Sequence, residues 1–237
     1  MQHPYSDSLP PQQQAQRLSA VAAFFRQVFT TMTLGMLITG ATAWAVASNP
    51  ALLSFFFSGP MMWVVILAPV ALVWFLAARV HTMSFSNASL TFAIYSVVNG
   101  ISLSMIFLIY ELGSIAQVFF ITAGVFGAMA LAGYTTKIDL SRLGSILFMA
   151  LIGLIIASVV NFFLRSSAMD YLISYAGVLI FCGLTAYDMQ KLRNIALAAE
   201  EGSEGTRKAA LMGALTLYLD FINLFLFLLR ILGGRRD

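Results

Sequence analysis

The chain has 237 residues, of which 60% are hydrophobic and only 10% charged. Soluble domains carry about 25% charged residues, and one core cannot hide this much apolar surface, which excludes a water-soluble enzyme, a secreted disulfide scaffold and a disordered chain and leaves an all-α integral membrane protein. The net charge of +3 calls for no nucleic acid, the single cysteine allows no intramolecular disulfide, and two histidines allow no histidine-rich metal cluster.

Residues 1–26 are polar and Gln-rich, with Pro10-Pro11 and Gln12 to Gln14, and read as a disordered tail. Residues 27–237 read as a single transmembrane domain. Its first part, 27–78, carries no charge and is broken by Asn49-Pro50 and Gly59-Pro60. It divides into spans near 28–48 and 61–79, each close to the ~20 apolar residues that cross a bilayer. Further spans are expected near 88–109, 114–134, 143–164, 171–190 and 211–232, which makes seven. The runs are continuous, not alternating, and so exclude a β-barrel. Ala45-Val46-Ala47 resembles a signal-cleavage site, but the long polar segment before the first span argues for a retained helix. The stretch 191–210, with Lys191, Arg193, Glu200, Arg207 and Lys208, reads as a solvated loop with helical ends.

Orientation follows the basic residues of short loops. A cytoplasmic N-terminus places Arg17, Arg26, Arg79, Lys137, Arg142, Lys191, Arg193, Arg207 and Lys208 inside and Arg165 outside. Arg230, Arg235 and Arg236 then fall outside, against the rule. A re-entrant hairpin over 211–232 would bring them back, but that run is interrupted only by Asp220, which favours a seventh span.

An ionisable group within a span costs about 2.5–3.5 kcal/mol on insertion scales and needs a reason to be there. Asp220 lies well inside the seventh span. Gly213, Thr216, Asp220, Asn223 and Arg230 fall on one helical face, and such a polar stripe should meet protein or water. Asp188 sits near the inner end of the sixth span, with Ser174, Gly177 and Thr185 on the same broad face. The two spans are consecutive and antiparallel, so the carboxylates can meet in the inner half of the membrane. Two such groups cannot both ionise cheaply, and they would tend to share a proton and titrate together. Arg79, at the inner end of the second span, is the candidate counter-ion. A shared proton or an Arg–Asp latch is a physical basis for a pH-sensitive gate. Clustered carboxylates also draw cations, and calcium favours hard oxygen ligands. Asp188 and Asp220 are therefore the candidate calcium contacts, and Thr216, Asn223 and Thr185 their supporting polar face. Ala123-x-x-x-Gly127, Gly124-x-x-x-Ala128 and Gly153-x-x-x-Ala157 would let helices pack closely. Asn99 and Asn161, inside spans, would cross-link helices. No phosphate loop, zinc-protease motif or nucleophile elbow is present in the sequence.

Several motifs occur in the order found in one family. Thr122-Ala123-Gly124-Val125-Phe126-Gly127-Ala128-Met129-Ala130 resembles the fourth-helix motif of the Bax inhibitor family, type-one class. Gly133-Tyr134-Thr135-Thr136-Lys137 with Asp139-Leu140-Ser141, Ala186-Tyr187-Asp188, and Leu217-Tyr218-Leu219-Asp220 with Asn223-Leu224-Phe225 continue the likeness. It covers roughly residues 20–232, and the chain resembles a bacterial member. The resemblance implies a seven-helix fold whose last helix is central within a six-helix surround. It implies that Asp188 and Asp220 match a paired-aspartate pH sensor gating a calcium leak, closed by an arginine that Arg79 would supply. It implies a multi-pass protein of the bacterial inner membrane with a cytoplasmic N-terminus, no required cofactor, and calcium as the permeant ion. Some bacterial relatives are linked to a membrane-anchored protease, for which the tail would be a handle.

Two other readings compete with a leak. A non-conducting regulator would bind membrane proteins through its small-residue faces and tail. An intramembrane aspartyl protease would also set two aspartates on adjacent helices. The protease lacks its second motif here, because Leu217-Tyr218-Leu219 precedes Asp220 where a Gly-x-Gly pattern is expected, and no proline follows Pro69. The expectation is therefore a non-enzyme, compatible with a monomer.

Overall fold

The computed structural model describes residues 10–80, 82–200 and 202–236. Among these, the helices are α1 Pro11–Ala47, α2 Pro50–Phe57, α3 Met61–Arg79, α4 Phe85–Leu103, α5 Ile106–Ile109, α6 Leu112–Thr135, α7 Ser141–Leu164, α8 Ser167–Ala198 and α9 Glu204–Leu232. With α4 and α5 forming one span, seven segments are long and apolar enough to cross a bilayer. No strand occurs among the described residues.

The expected spans are all present, and the differences lie at their ends. The second matches at both ends, as Met61–Arg79. The first helix begins at Pro11, so residues 11–26, expected as disordered tail, are its opening turns. Proline is tolerated at the start of a helix, and Gln, Ala, Arg and Leu sustain one. Val21, Phe24, Phe25 and Val28 then anchor this part, all at 8% exposure or less. The first nine residues of the expected tail lie outside the described residues. The stretch 191–210 is also mostly helical, because α8 runs to Ala198 and α9 starts at Glu204. Bilayer thickness limits the apolar run, not the helix, so both helices carry their charged residues past it. The Glu204–Lys208 ion pair, at 3.2 Å and one turn apart, supports the start of α9.

Local chemistry sets several boundaries. Asn49 caps α2, accepting from the amides of Ala51 and Leu52 at 3.0 and 3.3 Å. Ser84 and Ser166 cap α4 and α8 through their hydroxyls. Arg165 ends α7 in the left-handed region at φ 51°, with its amide donating to Asn161 O at 2.7 Å.

The helices gather into two compact units, where the sequence suggested a single domain. The first unit holds the start of α1 through Phe25, most of α6, all of α7 and α8, and α9 from Leu219. The second holds α1 from Arg26, α2 to α5, α9 up to Tyr218 and the tail from Gly234. Of the seven spans α9 is the most buried, at half of its apolar window, whereas α7 is the least, at 11%. Ile146, Phe148, Met149, Ile155, Ile156, Phe162 and Phe163 of α7 are exposed, as lipid-facing residues should be.

In the second unit a buried polar chain ties α1, α4 and α9. Thr39 Oγ1 lies 2.9 Å from Ser96 O and 2.7 Å from the Tyr218 hydroxyl, and Asn99 Nδ2 lies 2.7 Å from the same hydroxyl. A carbonyl only accepts, so Thr39 donates to Ser96. Tyr218 must then donate to Thr39 and accept from Asn99. Both hydroxyl protons thus have one place to go. Phe92 and Tyr95 pack edge-on against the Tyr218 ring, at 5.8 and 5.6 Å between centroids. Also in this unit, the tail lies along the turn between α5 and α6. Tyr110 and Arg235 form an antiparallel bridge, Glu111 N donates to Gly234 O at 3.0 Å, and Arg236 N donates to Ile109 O at 2.9 Å.

Two measurements test this fold. α9 is continuous over 29 residues, about 43 Å, long enough to span the bilayer without a re-entrant turn. In a Cys182→Ser background, Ser203→Cys and Arg236→Cys are expected to react with an impermeant thiol reagent from opposite faces of the membrane; labelling from one face would restore the hairpin. Tyr218→Phe leaves Asn99 and Thr39 each short of a partner. It is expected to cost about 1–3 kcal/mol and lower the melting temperature in detergent, and an unchanged melting temperature would contradict the polar chain described here.

A candidate carboxylate site on the last two helices

The site lies within the first unit. α8 is shaped there by close contacts with α6 and α7. Gly133 of α6 lies against the backbone of Ala186, where a Cβ would collide with the carbonyl. Tyr187 covers Gly144 of α7. Asp188 follows immediately. Gln190, one turn from Ala186, clamps the α6–α7 turn, donating to Ile138 O and accepting from Leu140 N, both at 2.8 Å. Arg193 reaches the end of α6, donating to Tyr134 O at 2.6 Å, where its charge meets the negative end of the helix. Asp139, in that turn, accepts from Ser141 N at 2.9 Å. The hydroxyl and amide of Ser141 hold its carboxyl below the ordinary carboxylate range.

From α9 comes Asp220, 4% exposed. Phe221 beside it is wedged edge-on between Phe119 and Phe126 of α6, at 5.3 and 5.5 Å, which fixes the rotation of this stretch. The carboxyl groups of Asp188 and Asp220 are hydrogen-bonded to each other. Such a contact holds only with a proton between the two, since two bare carboxylates would repel. Oδ2 of Asp220 is buried, and no group other than the neighbouring acid is placed to donate to it among the described residues. Lys191 lies one turn beyond Asp188 on α8. A cleft of about 360 Å³ opens beside it, lined by Ser141, Tyr187, Gln190, Lys191 and Asn194 among others.

The structure thus brings together the two aspartates singled out in the sequence. Thr185 is fully buried one turn from Asp188, and its hydroxyl donates back to Phe181 O at 2.7 Å. Asn223 likewise donates to Leu219 O at 2.8 Å, and Thr216, in the second unit, to Met212 O at 3.0 Å. These three satisfy themselves on their own helices. Arg79 ends α3 in the second unit, with its side chain exposed. Asn99 does join helices, and Asn161 bonds Asp170 at 2.6 Å across the α7–α8 turn. The small-residue pairs do not act as expected within the chain. Gly124, Gly127 and Gly153 face open space, because the buried face of α6 is Val118, Thr122, Phe126, Ala130 and Gly133 and that of α7 is Gly144, Leu154 and Asn161. Sequence reasoning missed Gln190 and the role of Gly133. A glutamine close behind an apolar run, and a glycine preceding a tyrosine at a helix end, were the available signals.

A helical, multi-pass membrane protein with an acidic pair on adjacent spans is the class that fold and site define. The family described as Inhibitor of apoptosis-promoting Bax1 matches residues 21–237. The chain is 46% identical over 235 residues to the inner membrane protein YbhL of Escherichia coli, covering 98% of each chain. It is 43% identical over 226 residues to an uncharacterized protein of Borreliella burgdorferi, covering 95% of this chain and 97% of the other. The chain belongs to the Bax inhibitor family.

The approach at Gly133 is testable. Gly133→Ala drives a methyl into the Ala186 backbone and is expected to lower stability by about 1–3 kcal/mol, read as a fall in melting temperature. Gly127→Ala, in open space, should leave it unchanged; equal effects would remove the close contact from the explanation.

Proposed function

We propose that the protein is a pH-sensitive passive leak for calcium in the bacterial inner membrane, with a cytoplasmic N-terminus, gated by Asp188 and Asp220. The observation that carries this reading is the hydrogen bond between the two carboxyls, with Asp220 buried and its Oδ2 offered no other donor among the described residues. The shared proton holds α8 to α9 across the site. When it leaves, two negative charges face each other in a medium of low dielectric. They push the helices apart and attract a cation.

Calcium takes 6–8 oxygen ligands for tight binding. Among the described residues no cluster of three or more His, Cys, Asp or Glu could hold a metal. Two carboxylates suit an ion that must also leave, which is what conduction requires. Membership of the Bax inhibitor family and likeness to an inner membrane protein support the setting.

The test is calcium flux into proteoliposomes across a pH series. Wild type is expected to pass more calcium as pH rises through the titration of the pair. Asp188→Asn and Asp220→Asn keep the shape of the site but cannot share a titrating proton, and each should flatten the pH profile. Absence of flux from wild type at every pH would overturn the leak. A pH profile unchanged in both variants would move the gate elsewhere.

A further inference from the structure

Around the acid pair, α8 and α9 each carry a polar stripe. On α8 it includes Asp170, Ser174, Thr185 and Asp188. Asp170 and Asp188 are five helical turns apart and point the same way. Ser174 and Thr185 on that face are buried, at 2% and 0% exposure. On α9 the stripe includes Asp220, Asn223 and Arg230.

Both stripes are interrupted, and at the same level. Phe181 lies two turns before Asp188, and Phe227 lies two turns after Asp220. Because the helices run antiparallel here, both rings sit on the same side of the acid pair, about 10 Å from it. They meet, with centroids 5.9 Å apart and planes at 29°. The Phe227 ring also occupies the space a side chain at Gly177 would need. A Cβ there would meet its Cδ2, Cε2 and Cγ at 2.6, 2.6 and 2.7 Å. Gly177 is thus a socket, and a larger residue would expel the ring. Beyond the rings the polar groups resume. The Arg230 guanidinium lies 5.8 Å from the Phe227 centroid. Asp170 is held by Asn161 Nδ2, and its carbonyl accepts from Ser174.

We propose that Phe227, seated in the Gly177 socket and stacked on Phe181, is a hydrophobic plug closing the path between α8 and α9 on the Arg230 side of the acid pair. Two stacked rings offer a hydrated cation no oxygen to replace its water, and an apolar constriction of this kind closes by dewetting. The path then has two barriers in series, one set by a proton and one by ring packing. The consequence for calcium flux rests on the leak proposed above; the plug itself does not.

The experiment therefore reads access and flux separately. In a Cys182→Ser background, Asn223→Cys places a thiol between the plug and the acid pair. Its reaction with an impermeant thiol reagent, applied from the Arg230 side, is expected to be slow and to quicken several-fold with Phe227→Ala. In proteoliposomes Phe227→Ala, with Asn223 retained, should raise calcium flux several-fold at pH values where wild type is closed. Phe181→Ala trims the other ring and gives the same two readouts should Phe227→Ala not elute as folded protein. Labelling and flux both equal to wild type in these variants would overturn the plug while leaving a pH-dependent leak in place. Faster labelling with no flux at any pH would uphold the plug and overturn the leak.

Discussion

A polar atom within the hydrocarbon of a membrane has no water to turn to, so it must find its partner in the protein. Much of this structure follows from that constraint. Thr39, Asn99 and Tyr218 close their donors and acceptors onto one another, and the only order in which the protons can be placed is one that joins three helices. Thr185, Asn223 and Thr216 meet the same demand more cheaply, by bonding back to their own helices. Asp220 meets it incompletely. Its carboxyl depends on another acid, and Oδ2 has no other donor among the described residues. A site satisfied only by a shared proton is one whose lowest-energy arrangement changes when that proton leaves or a cation arrives.

The surroundings of the pair divide the work. Gly133 lets α8 approach α6 until backbone meets backbone, and Gln190 and Arg193 then fasten the turn that follows α6. This side of the site is built to stay where it is. On α9, the Phe221 ring beside the aspartate is held by Phe119 and Phe126, and the Phe227 ring by Phe181, Gly177 and the Arg230 guanidinium. One aromatic cluster fixes the acid and the other fixes the plug.

The spans were legible because the bilayer demands length and apolarity, both visible without any partner. Helix ends were less so. Charge marks where the hydrocarbon stops, and α8 and α9 continue past that point, as does α1 on the other side of its apolar run. The aspartate pair was legible from its cost alone, since nothing but function or a partner justifies a carboxylate there. Which glycines pack was not. Gly124, Gly127 and Gly153 satisfy the small-residue pattern yet face open space, while Gly133 and Gly177 do the packing. A local pattern states that close approach is allowed; only the neighbouring helix decides where it happens.

The burial of α9 has a consequence for biosynthesis. The most buried of the seven spans is also the last of them in chain order. Until it inserts, Thr39 and Asn99 have no tyrosine hydroxyl to bond, and Asp188 has no carboxyl to share a proton with. The earlier spans must wait in the lipid with these polar groups unpaired. Contacts such as Gly133 on Ala186 need no α9 and can form before it arrives. The polar pairings cannot, and a chain cut short before α9 would present the unpaired groups to quality control.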